Sequence, residues 1–220
     1  MSRRIVIAGG HGKIALLLER MLADRGDSVA GLVRNPEHAD DLAAAGAEVV
    51  VIDLENTSVA DLAATLDGAD AVVFAAGAGP GSGVDRKQTV DRDAAILLAD
   101  AAVAAGVRRY VMVSAIGADE KTDGQDEVFA AYLEAKSAAD ANVRARSELV
   151  TTIVRPGGLT DDPGTGRVTV GTTTGRGSIP RADVAAVLAE LLQGDDATGV
   201  TFELVGGDTP IAEAVSGLTT

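Results

Sequence analysis

Apolar and polar positions follow two rhythms along this chain. Short aliphatic and β-branched runs alternate with stretches in which apolar residues return every three or four positions. Arg4 to Ala8, Ser28 to Val33, Ala47 to Ile52, Ala71 to Ala75, Arg109 to Ser114 and a sixth run ending near Pro156 are of the first kind. Such runs predict strands buried on both faces, as in a parallel sheet. Ile14, Leu17, Leu18, Met21 and Leu22 open the helical spacing after the first strand. Further helices are predicted through Ala45, over Ser58 to Leu66, over Lys87 to Ala105, around Tyr132 to Lys136, and through Leu192. Asn35-Pro36 provides a cap and first turn, while Gly46 and Gly106 stop the helices before them. A last strand over Thr201 to Val205 and a short helix from Pro210 complete the series. The alternation predicts a three-layer, doubly wound α/β fold with a mostly parallel sheet of about seven strands. One domain over 1–220 is expected. The Thr- and Gly-rich stretch around 157–180 reads either as a substrate lid or as a plain surface hairpin.

Composition narrows the function. The chain is 46% hydrophobic but 2% aromatic, which suits a core of Ala, Val, Leu and Ile. A net charge of −14 disfavours a nucleic-acid backbone or an anionic membrane surface as partner. With no cysteine and only two histidines, neither a disulfide nor a metal site is expected. No apolar run approaches ~18 residues, and the first strand begins almost at once, so the expected compartment is the cytoplasm.

The chemistry gathers at the ends of the strands. Gly9, Gly12 and Ala15 keep the spacing G-x-x-G-x-x-G with alanine in the third place. Gly9 permits a sharp turn, Gly12 lets a phosphate approach the backbone, and Ala15 lets helix and strand pack closely. The open N–H groups and positive dipole end of the following helix suit a pyrophosphate. Lys13 either touches that phosphate or is solvated, and His11 reads as a side chain on an exposed turn. Arg34 closes the second strand with no acid beside it; an arginine there suits the 2′-phosphate of NADP, where a carboxylate would suit NAD. The alternative is a solvated loop arginine. Asp53, with Leu54, stands where adenine could be met, or is a strand-end turn residue. Ala75, Ala76 and Gly77 lead a glycine-rich run that would let a cofactor lie against backbone, or would simply form a flexible loop.

Ser114 lies at the carboxyl end of the fifth strand, the edge where open α/β sheets bind ligands. Tyr132 and Lys136 are four apart on one helical face. A neighbouring ammonium, together with the positive charge of an oxidised nicotinamide, would lower the phenol from its ordinary pKa of ~10 and make it an acid–base group. Otherwise the pair is a packed tyrosine with a surface lysine.

In order, G-G-H-G-K-I-A, R-N-P, D-L at 53–54, A-A-G at 75–77, V-S-A at 113–115, Y-L-E-A-K and I-V-R-P-G-G-L-T resemble an atypical short-chain dehydrogenase/reductase. The branch is the NAD(P)H-binding one that includes NmrA-like proteins and small epimerase-like oxidoreductases. The resemblance covers nearly the whole chain and implies a Rossmann fold. It implies that Ser114 bonds the substrate carbonyl, Tyr132 moves the proton, and Lys136 holds the nicotinamide ribose and tunes Tyr132. Arg155, Pro156 and Gly157 would lie beside the nicotinamide, while Gly9, Gly12, Lys13, Ile14, Arg34, Asp53, Leu54, Ala75, Ala76 and Gly77 would border the rest of the cofactor. The expected activity is NADP-dependent hydride transfer to or from a small carbonyl or alcohol. The alternatives are a non-catalytic NADP(H) redox sensor of the NmrA type and a flavin- or bilin-type reductase needing no Tyr–Lys pair. Ala15, the long stretch from Ser114 to Tyr132, and Val90 where extended members carry asparagine depart from the pattern. Little chain follows residue 156, where nucleotide-sugar epimerases add a substrate domain, so that activity is not expected.

Overall fold

The computed structural model describes residues 2–79, 81–122, 124–193 and 199–218; Pro80 of the glycine-rich run and Asp123 of the polar loop lie outside them. Strands β1 (Arg4–Ala8), β2 (Ser28–Val33), β3 (Glu48–Val51), β4 (Ala71–Phe74), β5 (Arg109–Val113) and β6 (Val150–Pro156) pair in parallel. Their spatial order, β3-β2-β1-β4-β5-β6, reverses direction beside β1. That reversal opens a crevice at the carboxyl edge between the loops after β1 and β4.

Alternation within each strand explains the two cores. Ile5 and Ile7 face α1 (Lys13–Asp24) and α2 (Ala39–Ala44), together with Leu18, Leu22 and Leu42. Val6 and Ala8 face α3 (Val59–Thr65) and α5 (Ala94–Ala104), together with Leu62, Leu98 and Ala102. Each fully buried Leu or Ile contributes about 1.5–3 kcal/mol. Asn35 accepts from the Glu37 amide at 3.1 Å and starts the 3-10 turn Pro36–His38, as its place before proline predicts. Ser58 caps α3 by accepting from the Asp61 amide at 3.1 Å.

Two features depart from the sequence reading. The expected 87–105 helix begins after α4 (Val84–Arg86) as a π-helical stretch, Lys87–Asp93, before α5. The wider turn sends Lys87, Val90 and Asp91 inward together. The main sheet has nine strands among the described residues, not about seven. The 157–180 stretch supplies β7 (Gly158–Thr160), β8 (Arg167–Gly171) and β9 (Ser178–Pro180). β8 runs antiparallel between β10 (Thr201–Gly206) and β11 (Thr209–Pro210), while β7 and β9 form a small parallel pair. Much of the stretch is therefore built into sheets, anchored by buried Val168 and Ile179. Helix α6 (Glu127–Arg144) covers the second face, and α7 (Arg181–Leu191) and α8 (Ile211–Ser216) cover the first.

Candidate functional site

Gly9 has φ +83°, and a Cβ there would stand 2.6 Å from Ala76 Cα. Both the turn and the close approach of the β4 loop therefore demand glycine. Gly12 has ordinary extended backbone, φ −66°, so the turn does not require it. Its effect is to leave the start of α1 bare: no side chain caps that helix, and its first turn holds no acid. This twelve-residue helix thus offers amide donors and a positive dipole end to the crevice, which fits a pyrophosphate.

Three hollows follow one another along the carboxyl edge. The first, about 260 Å³, is bordered by Gly9, Gly12, Arg34, Asp53, Leu54, Glu55, Arg86 and Val90, with Ala75 to Gly77 as its inner wall. The second, about 460 Å³, shares Ala75, Ala76 and Gly77 and adds Ile14, Lys87, Asp91, Ser114, Tyr132 and Lys136. The third, about 470 Å³, shares Ser114, Phe129, Tyr132 and Leu159 with the second and extends to Pro156, Gly157, Arg176 and Arg181. A single concave path thus links the glycine turn to Tyr132. Its lining suits a dinucleotide followed by a small substrate.

At the outer end, Arg34 Nη1 donates to Glu55 Oε2 at 2.9 Å, and Arg86 Nη2 donates to the same oxygen at 2.8 Å. Thr89 Oγ1 donates to Glu55 Oε1 at 2.6 Å. Arg86, Thr89 and Glu55 escaped the sequence reading because each is an unremarkable polar residue far along the chain from Arg34. Asp53 accepts from the Glu55 amide at 3.0 Å and from Asn56 Nδ2 at 2.8 Å, the geometry of a strand-end turn. The Asn56 hydrogen bond holds its carboxyl below the usual range. His11 stacks on His38 with ring centroids 3.5 Å apart, and its Nε2 lies 2.8 Å from Asp41 Oδ2. Lys13 is exposed and pairs with Asp161, which also binds Arg181.

Around Tyr132 the arrangement corrects two expectations. Lys136 Nζ lies 3.3 Å from Asp91 Oδ1 and donates to the Val113 carbonyl at 3.2 Å. It sits over the Tyr132 ring, 5.8 Å from the centroid, and does not by itself bring the phenol below its ordinary value. Burial, reinforced by Asp91 and Asp140, pushes the Tyr132 phenol above its ordinary value. The second concerns Arg155, expected beside the nicotinamide. It turns instead into the protein, with Nε and Nη2 donating to Asp140 Oδ2 at 2.9 and 2.7 Å and Nη1 to Asp119 Oδ2 at 2.7 Å. Burial raises the Asp140 carboxyl, while the Arg155 bond holds Asp119 down. This anchor pins the long loop after Ser114, and Asp126 ends that loop by capping α6. Ser114 lies next to Asp140, close enough to favour its charged form, yet its buried Oγ makes no well-formed hydrogen bond. Gly157 is explained by packing, since a Cβ there would meet the Gly177 carbonyl at 2.3 Å. It borders the third hollow with Pro156.

Among the described residues, no helix is long and apolar enough to cross a membrane, and no cluster of three metal-ligating side chains occurs.

Comparison with known proteins agrees with this geometry. A family profile described as NAD(P)H-binding matches residues 9–195. YhfK of Bacillus subtilis, described as an uncharacterised sugar epimerase, is 39% identical over 98% of this chain and 100% of its own length. A Bacillus halodurans structure, proposed to be a NAD-dependent epimerase/dehydratase, superposes with TM-score 0.91 at 39% identity, covering 99% of this chain and 100% of that one. The oxidoreductase ylbE of Lactococcus lactis superposes with TM-score 0.82 at 26% identity, covering 98% and 96%. The chain belongs to the NAD(P)H-binding family of atypical short-chain dehydrogenase/reductase proteins.

Proposed function

We propose that this protein is an NADP-dependent oxidoreductase that reduces a small carbonyl compound, with Tyr132 as proton donor. The observation that carries the reading is the continuity of the three hollows from the bare start of α1 to Tyr132. Gly9, Gly12 and the amides of Lys13 and Ile14 would hold the pyrophosphate, and Arg34 the 2′-phosphate. Lys136, Ser114 and Ala75 to Gly77 would border the nicotinamide half. When bound, the coenzyme supplies hydride.

The chain's own residues then set the direction. Tyr132 is kept neutral by burial and by nearby carboxylates, so it begins as an acid. That state suits protonation of a carbonyl oxygen, and it disfavours the alcohol-oxidising direction, which needs the phenolate. Ser114 borders the second and third hollows beside Tyr132 and would bond the same oxygen. Lys87 and Lys136 stand 5.5 and 5.8 Å from the Tyr132 ring centroid and place positive charge over its face. The third hollow mixes apolar walls from Ile116, Phe129, Leu133 and Leu159 with Arg176 and Arg181. It suits an apolar carbonyl compound.

The test is optical measurement of NADPH consumption against a panel of aldehydes and ketones. Tyr132→Phe is expected to lower kcat about 10²- to 10⁴-fold while leaving NADPH affinity unchanged. Because the phenol is raised, the reduction rate should stay flat through neutral pH and fall only at strongly alkaline pH. Activity that survives Tyr132→Phe would replace the acid role with a flavin-type route. Tight NADPH binding without turnover would favour the sensor.

A further inference from the structure

Glu55 is the unusual member of the outer hollow. A pocket for a phosphorylated ribose should present cations, yet the donors here converge on a carboxylate supplied by the protein itself. Arg34 reaches Glu55 from the end of β2, Arg86 from the end of α4, and Thr89 from the first turn of the π-helical stretch. Three elements, separated by up to 55 residues in sequence, are thus tied at one acidic side chain bordering the cavity.

We propose that Glu55 occupies the place of the 2′-phosphate in the free protein, and that it sets the choice between NADP and NAD. This rests on the coenzyme reading above. Two guanidinium groups and a hydroxyl form a donor set suited to a phosphate dianion, and the carboxylate satisfies that set while no phosphate is present. An arriving 2′-phosphate competes with Glu55 for Arg34 and Arg86, and the two anions repel each other. A plain 2′-hydroxyl has the opposite relation: it donates to a carboxylate that stays in place. Glu55 therefore weakens NADP binding and favours NAD, while Arg34 and Arg86 do the reverse. Arg86 becomes a second wall of the phosphate subsite, and Glu55 a built-in competitor for it.

Both arginine contacts are exposed enough to exchange partners. The side chains of Arg34 and Arg86 keep 55% and 41% of their surface, against 20% for Glu55. Exposed pairs of this kind are worth little, so a dianion can take over the donors. Asp53 holds its own turn through the Glu55 amide and Asn56, so release of the Glu55 side chain does not require the backbone to move.

The experiment is calorimetric titration of the full chain with NADPH and NADH, for wild type, Glu55→Gln and Arg86→Ala. Glu55→Gln keeps the shape and removes the charge; it is expected to tighten NADPH about tenfold and to leave NADH unchanged or weaker. Arg86→Ala is expected to weaken NADPH about 10- to 100-fold, with NADH moving less than about twofold. The readout is the ratio of the two dissociation constants, which a general loss of packing would not shift. Weaker NADPH binding in Glu55→Gln, or equal changes for both coenzymes, would overturn the proposal and make Glu55 an anchor for the arginines. Should wild type bind neither coenzyme, the oxidoreductase reading falls with it; should it bind them but ignore Glu55→Gln, only the present inference falls.

Discussion

Charged side chains crowd both ends of this line of hollows, but in opposite states. At the outer end Arg34, Arg86 and Glu55 lie in a half-open hollow, with the two guanidiniums 55% and 41% exposed. At the inner end Lys136 and Asp91 are 4% and 1% exposed, and Asp140 is fully buried against Arg155. Exposed pairs are worth about 0–1 kcal/mol and rearrange readily. Buried pairs strand a charge when one partner is removed, which costs about 3–5 kcal/mol. The outer cluster is therefore suited to exchanging its internal anion for a ligand. The inner one is suited to holding Tyr132, Ser114 and the loop after Ser114 in one geometry.

The strongest way to break this contrast is Asp140→Ala. It leaves Arg155 buried with Asp119 alone, and thermal or denaturant unfolding should show a loss of about 3–5 kcal/mol. A loss below about 1 kcal/mol would mean that the inner network is no more rigid than the outer one.

Glu19 sharpens the comparison, because it is buried with neither partner nor ligand. It lies on α1, where a Cβ on Gly10 or Gly31 would come within 2.9 or 2.6 Å of its Oε1, and neither carboxyl oxygen is hydrogen-bonded among the described residues. Burial pushes its carboxyl up to about 8. The folded state therefore keeps a proton that the unfolded chain releases near pH 4.5. The associated stability is fully present below that value and is lost as pH rises toward 8. On the order of 5 kcal/mol should disappear across this window, and Glu19→Gln should flatten the slope in denaturant titrations at several pH values. A wild-type profile that is already flat would show that Glu19 finds a partner in solution.

Smaller effects are expected outside. Arg34→Ala should weaken NADPH about 10- to 150-fold in calorimetry, with little change in melting temperature. Asp161→Asn, which cuts the exposed links to Lys13 and Arg181, should leave melting temperature within error. A clear drop in that variant would mean that the β7–β9 region depends on this surface pair.

The sequence reveals what depends on local rhythm. Central strands are apolar through Ile5–Ala8 and Ala71–Phe74 because both faces are covered there, and Asn35 and Ser58 announce their helices through their own side chains. Gly9 is readable because it follows a strand directly. Pairings set by the fold leave no such mark. Asp91 meets Lys136 across 45 residues, Arg34 meets Arg86 only through Glu55, and Asp140 meets Arg155 only once α6 lies on the sheet. The fate of Lys136 illustrates the cost: the spacing from Tyr132 is right, but a carboxylate brought in from another element takes the ammonium. β8 leaves little trace in the sequence because its alternating R-V-T-V-G pattern is short and only one face is covered, a weaker signal than a run buried on both faces.

The unwound stretch at Lys87–Asp93 has one more consequence. A turn with five-residue bonding holds one residue more than an ordinary helical turn, so it works as an insertion absorbed without disturbing either neighbour. Shortening the chain by one position there could restore regular winding while α5 kept its seat, and would swing Asp91 by about 100° around the axis. Lys136 would then keep the Val113 carbonyl but lose its carboxylate partner. In this protein the charge beside Tyr132 is set by the number of residues in a turn as much as by their identity.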